Sequence, residues 1–310
     1  MTRSRRAWRP AWLATCGLAF AVLVSAQPSA APYSGPLFDA HLHYNADAQV
    51  AHPLADVLAR LQRSGVRGVL ANSTPGEGTR ALAAALPQTR AAGLVVVPFV
   101  RLYDSRADYA TWHQDADLLA RAQAEFARGT AAGAYRGLGE VHLSGELQAQ
   151  TRVVRALVAF AQAQRAVLLA HADDSAVAQL MADAVPAGGT LRVIWAHTGI
   201  SGVPAARVDE WMTRYPGLLG ELSYRPDLLC SDGDAARNQA PVLCPEWRAL
   251  LLKYASRFLI GSDTWVNPRW LHYEALMQSY RGWLGTLPAE AATQIAWGNA
   301  ARLFGLAEPK

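Results

Sequence analysis

From Pro36 onward the chain alternates two patterns. Short apolar runs rich in β-branched residues give way to longer stretches in which apolar positions recur every three to four residues among Ala, Arg, Glu and Gln. The runs predict strands at Pro36–Tyr44, Val66–Asn72, Leu94–Arg101, Tyr135–Leu143, Ala166–His171, Leu191–His197, Leu218–Ser223 and Arg257–Asp263. The intervening stretches predict helices such as Pro53–Arg63, Ala107–Gly129, Thr151–Gln164, Ser175–Ala184, Ala205–Arg214 and Glu246–Ser256. Several strands are near-continuous apolar blocks, as in Leu94-Val95-Val96-Val97, which suits parallel strands covered on both faces. Eight strands alternating with helices predict a (β/α)₈ TIM barrel. An open doubly wound sheet is the runner-up, weakened because no Gly-x-Gly-x-x-Gly follows the first strand.

The alternation breaks twice. Residues 224–245 form a long polar connection after the seventh strand, and two helical segments, Arg269–Trp283 and Pro288–Phe304, close the chain. No linker separates a second domain, so residues 35–310 read as one barrel domain.

Residues 1–26 differ in kind. Arg3, Arg5, Arg6 and Arg9 precede an apolar stretch from Ala11 to Val24, then small residues suited to cleavage near Ala26 or as late as Ala30. This reads as an export signal peptide, by a twin-arginine or general secretory route, giving a periplasmic or secreted protein. A lipoprotein signal at Cys16 and an uncleaved anchor are the alternatives, although the apolar stretch is short for a bilayer span. Without these residues the chain carries 25 basic and 25 acidic side chains. The mature protein thus has no basic field to recommend nucleic acid as a partner, and no stable membrane insertion is expected after processing. Only Cys230 and Cys244 remain, bracketing the polar connection; in an oxidising compartment they predict a disulfide worth roughly 3 kcal/mol, with two free thiols as the alternative. No surface is marked as an oligomer interface.

The ends of the predicted strands carry the chemistry. His41 and His43 alternate on one strand and so share a face. Glu140 lies on the fourth strand, while His171, His197 and Asp263 end the fifth, sixth and eighth. From His41 to Glu140 is 99 residues, three βα units; Glu140 to His171 is 31 and His171 to His197 is 26, one unit each. Catalytic residues of a barrel sit at its C-terminal strand ends, so all six should meet at one mouth. Imidazoles and carboxylates gathered there suit a divalent ion, zinc first, with manganese or iron as alternatives.

Asp-Ala-His-Leu-His (39–43), Gly-Leu-Gly-Glu-Val-His (137–142), Ala-His-Ala-Asp (170–173), Trp-Ala-His-Thr-Gly (195–199), Gly-Ser-Asp (261–263) and Gly-Asn-Ala-Ala-Arg-Leu-Phe-Gly-Leu (298–306) together resemble the amidohydrolase superfamily, in its amidohydrolase-related branch. The resemblance spans residues 36–306. It implies one or two metal ions: His41, His43 and Asp263 on the first, His171 and His197 on the second, and Glu140 bridging them where many members use a carbamylated lysine. In mononuclear members the histidine matching His197 polarises water instead. Asp263 and His197 are the catalytic candidates. The implied reaction is hydrolysis of an amide, lactone, ester or phosphoester in a small molecule. A mononuclear decarboxylase and a non-catalytic ligand-binding barrel are the alternatives.

Other residues are open to two readings. Arg225, His142 and Arg101 are candidates for substrate contact, the arginines through bidentate pairing with a carboxylate, or else they serve loop packing. Asp39 either orients an imidazole or is a buried structural carboxylate. Asn72 either lines the mouth or caps a helix.

Overall fold

The computed structural model describes residues 31–91, 93–184, 191–200, 202–230 and 242–307. Eight parallel strands run in the order β1 (Leu37–Leu42), β2 (Val66–Ala71), β3 (Val95–Val100), β4 (Gly137–Leu143), β5 (Val167–Ala172), β6 (Arg192–Trp195), β7 (Leu218–Glu221) and β10 (Phe258–Leu259). The last two flank a two-residue antiparallel pair, β8 (Leu229–Cys230) with β9 (Val242–Leu243). β10 and β1 meet across the remaining seam, where Ala40 N–H donates to the Ile260 carbonyl (2.8 Å) and Asp263 N–H to the His41 carbonyl (2.5 Å). The strands therefore close into the (β/α)₈ barrel that the alternation predicted.

Two apolar layers hold it. Outside the strands, a shell built from residues such as Leu138, Leu157 and Leu180 covers the barrel with its helices. Inside, Phe38, Leu70, Val97, Phe99, Leu169 and Ile194 pack with Trp297 and Phe304 from the C-terminal segment. Phe304 stacks on Phe38 (5.9 Å) and meets Phe99 edge-on (5.9 Å), so these side chains plug one end of the barrel. The interior is a packed core at this end, and the ligand-type side chains gather at the other.

Several predicted elements differ from the structure. The helix expected over 107–129 is only Leu118–Arg128, preceded by two 3₁₀ turns at Arg106–Ala110 and Trp112–Gln114. Ser105 caps the first turn, and Trp112 is buried with its indole N–H donating to the His142 carbonyl (2.7 Å), which pins this segment over β4. The eighth strand, expected to reach Asp263, pairs only at Phe258–Leu259, and Ile260–Asp263 continue along β1. Cys230 and Cys244 form a disulfide, closing the β8–β9 pair. Residues 231–241 of that connection and the N-terminal signal pattern lie outside the described residues. Among the described residues no helix is long and apolar enough to cross a membrane.

Asp39 is the polar clamp of the seam. Its buried carboxylate accepts from the backbone N–H groups of His41 (3.1 Å) and Ser262 (2.9 Å) and from the Tyr273 hydroxyl (2.9 Å). It touches no imidazole, so of its two readings the structural one holds. Removing a carboxylate that satisfies three buried donors strands them all. An Asp39→Ala variant is expected to lose about 3 kcal/mol of stability in urea unfolding; a loss below about 1 kcal/mol would show that another element closes the barrel.

Candidate metal centre at the barrel mouth

The strands that carry the site change register to present it. Phe38 and Ala40 join the inner core, yet His41 and His43 also face inward, toward Glu140 and Asp263; the pairing of β1 with β2 shifts between Asp39 and Leu42, which exchanges the inward and outward faces. The β4–β5 pairing shifts likewise between Gly139 and Val141, at Glu140 itself and two residues before His142. At the ends of the sixth and eighth strands the chain turns sharply: His197 (φ 57°), Thr198 (φ 49°) and Asp263 (φ 44°) adopt the left-handed conformation that side-chain-bearing residues seldom take. Such strain is held by surrounding structure and gathers at functional sites. Close packing adds a further constraint at Gly261, where a Cβ would stand 2.5 Å from Glu221 Oε1 and 2.7 Å from His41 Cβ.

All six expected residues converge. His41 Nε2 lies 3.4 Å from Glu140 Oε1 and 3.7 Å from Asp263 Oδ1, and His43 Nε2 lies 3.5 Å from Glu140 Oε2 and 3.3 Å from Asp263 Oδ1. His171 Nδ1 is 3.2 Å from Glu140 Oε1, and His197 Nε2 is 3.6 Å from Asp263 Oδ2. Both His41 and His43 are fully buried, and neither Nε2 makes a hydrogen bond. Buried nitrogens of this kind normally find partners. The spacing explains the exception: two ligands each 2.0–2.1 Å from one tetrahedral ion stand about 3.4 Å apart. His41, His43 and Asp263 thus fit a divalent metal.

The opposite ring nitrogens are tied down. His41 Nδ1 donates to Glu221 Oε2 (3.0 Å), His43 Nδ1 to the Asn72 carbonyl (2.5 Å) and His197 Nδ1 to the Ser223 carbonyl (2.7 Å). Each bond fixes a tautomer with its lone pair on Nε2, facing the cluster. Glu221 is the residue that sequence reasoning missed. It is fully buried at the end of β7 and accepts from His41, from the His197 N–H and from Ser223. Its signal was available, since it is the single acidic residue in the seventh predicted strand. Asn72 ties β2 into the site: its side-chain oxygen accepts from the Glu140 N–H (2.9 Å) and from Arg101 (3.2 Å).

Charge at the mouth is mutually compensated. Burial would lower the His41 pKa, but with no ion beside it Glu140 and Asp263 outweigh burial and hold it well above its ordinary value, so a bound cation would take the place of a proton on Nε2. Burial would raise both carboxyls; the neighbouring imidazoles hold Glu140 well below the usual range and Asp263 at about 2. Burial pushes His197 down, with His41 adding to the effect. His142 is driven to about 3 by burial and by Arg101, against the pull of Glu140.

The substrate-contact candidates divide. His142 lines the cavity above the cluster, a space of about 450 Å³ shared with Tyr109, Tyr224, Trp265, Arg106 and Arg269. Arg225 does not line it: its guanidinium is turned to the carbonyls of Thr198 (3.0 Å), Gly199 (3.2 Å) and Val203 and lies over the Trp247 ring. It braces the left-handed turn after His197. Arg101 lies beneath the site, bonded to Asn72 and to the Tyr109 hydroxyl (3.1 Å), with Glu140 Oε2 3.7 Å away. Among the described residues, the guanidinium groups at the cavity are Arg106, which stacks on Trp265, and Arg269, which pairs with Asp263 and stacks on Tyr224. Arg269 follows the eighth strand, where the sequence allows a mouth arginine, whereas Arg106 is not singled out by it.

Solved structures of similar fold include a Pseudomonas putida protein put forward as a 2-pyrone-4,6-dicarboxylic acid hydrolase, with TM-score 0.55, 19% identity, and 87% of this chain and 97% of that chain covered. A lactonase of Listeria monocytogenes aligns with TM-score 0.55, 12% identity, and 90% and 97% coverage. An amidohydrolase of Burkholderia multivorans, solved with bound zinc, aligns with TM-score 0.50, 18% identity, and 88% and 100% coverage. No family model and no curated protein matches the chain. These likenesses establish the barrel as a shared fold.

Glu221 reaches the cluster through the His41 ring and the His197 backbone, so its effect should appear as affinity. A Glu221→Gln variant is expected to bind zinc about 10–100-fold more weakly in competition with a chromogenic chelator. Unchanged affinity would mean that the His41 tautomer is set by something else.

Proposed function

We propose that this chain is an exported metal-dependent hydrolase of the amidohydrolase superfamily that cleaves an amide, lactone, ester or phosphoester bond in a small molecule. The observation that carries this reading is the pair of buried, unpartnered nitrogens, His41 Nε2 and His43 Nε2, converging with Asp263 and Glu140 at the C-terminal end of the barrel. The hydrolases of similar fold, one with zinc bound, support it, and zinc is the first choice of ion. The cysteine pair and the N-terminal sequence pattern support export.

His41, His43 and Asp263 would hold the ion, with Glu140 alongside. When bound, a divalent metal lowers the pKa of water from 15.7 to about 7 and polarises a carbonyl or phosphoryl oxygen. The chain supplies the proton transfers. Asp263, with its pKa held at about 2, is ionised at neutral pH and takes the proton of the attacking water, then returns it to the leaving group. Arg269 grips the Asp263 side chain and its carbonyl (2.8 Å), fixing the direction in which that carboxylate can move a proton. His197, neutral and with its free Nε2 near Asp263, faces the reacting bond. Arg106 and Arg269, beside the aromatic faces of Tyr224 and Trp265, favour a substrate bearing a carboxylate or phosphoryl group. The cavity has room for a small molecule only.

Asp263→Asn keeps the side-chain shape and removes the proton acceptor. It is expected to reduce kcat/KM at least 100-fold on whichever lactone, ester, amide or phosphoester the wild type hydrolyses. A variant with near-normal turnover would remove Asp263 from the chemistry.

A further inference from the structure

His142 is held more tightly than a substrate-contacting side chain requires. The Tyr103 hydroxyl donates to the Glu140 carbonyl (2.9 Å) and accepts from the His142 backbone N–H (3.1 Å). Its hydrogen is thereby committed, so in the 2.5 Å contact between Tyr103 and His142 Nδ1 the imidazole is the donor. That assigns the proton to Nδ1 and the lone pair to Nε2. The ring is sandwiched between Tyr109 (3.7 Å) and His171 (4.8 Å), and Trp112 anchors the backbone carbonyl. The free Nε2 points at Glu140 Oε2, 3.9 Å away.

On its other side Glu140 meets His171, whose Nδ1 is 3.2 Å from Oε1. Ligand atoms of Glu140, His142 and His171 all lie within 4.8 Å of one another, and no such grouping joins Glu140 and His171 to His197. His197 instead turns its Nε2 toward Asp263. The oxygens of Glu140 also face His41 and His43, so one carboxylate separates two sets of lone pairs.

We propose that Glu140, His142 and His171 hold a second divalent ion, with His142 rather than His197 completing its site and Glu140 shared with the first. This rests on the metal-centre reading above and departs from the ligand set that the sequence resemblance implies, in which His197 serves the second ion. It leaves His197 free to act on the substrate.

The test is to reconstitute the mature protein with Mn²⁺ and measure ions per chain by elemental analysis, with electron paramagnetic resonance to detect coupling between neighbouring ions. The wild type is expected to hold two coupled ions. His142→Ala and His142→Gln, with folding checked by circular dichroism, are expected to hold one, giving an uncoupled spectrum; His197→Ala is expected to keep both. Two coupled ions in the His142 variants would overturn the assignment, as would loss of one ion in His197→Ala alone. One ion in the wild type overturns the second site and leaves the hydrolase reading standing, whereas none overturns both. Should both His142 variants fail to fold, anomalous diffraction from zinc-loaded wild-type crystals decides. A peak within about 2.1 Å of His142 Nε2 is expected; a second ion bound by His197 Nε2 overturns the proposal.

Discussion

Two buried imidazole nitrogens, His41 Nε2 and His43 Nε2, make no hydrogen bond, although both face carboxylate oxygens and both rings are held in place by bonds at their opposite nitrogens. A buried donor or acceptor left alone costs about 1–3 kcal/mol, so the fold maintains both at an energetic disadvantage. The arrangement is enforced from behind: Glu221, the Asn72 carbonyl and the Ser223 carbonyl each hold an Nδ1 and leave the opposite nitrogen facing Glu140 and Asp263. Much of the polar architecture of the mouth exists to keep lone pairs aimed at one place.

The rest of the barrel makes that aim possible. One end of the interior is an apolar plug of Phe38, Phe99, Trp297 and Phe304, and the ligand-type side chains gather at the other. Asp39 clamps the seam between β1 and the segment leading to Asp263, so the His-x-His pair and its aspartate are tied into adjacent backbone. Register shifts in β1 and at the start of the Glu140 segment move side chains from the outer face to the inner one. Regular strands would have placed an inward Phe38 and an inward His41 on opposite faces.

Much of this was legible in the sequence because barrels repeat. The spacing of βα units put six ligand-type residues at strand ends, and all six meet in space. What was not legible depends on direction rather than position. Arg225 follows the seventh strand as a mouth residue should, yet its guanidinium turns to loop carbonyls, while Arg269, which follows the eighth strand, and Arg106, from an irregular segment after the third, reach the cavity. Glu221 is a lone acid in the seventh strand, and its role depends on a contact with His41 that spacing along the chain does not reveal. The helix expected over 107–129 failed because burying Trp112 against His142 outweighs local helical preference.

The central claim is that the buried cluster is a site for divalent metal. The most direct measurement is elemental analysis of the mature wild-type protein, purified without chelator, beside a His41→Asn/His43→Asn double variant that folds. At least one divalent ion per wild-type chain, and its loss in the variant, is the predicted result. A wild-type protein that carries no metal and takes up none on reconstitution would contradict the account.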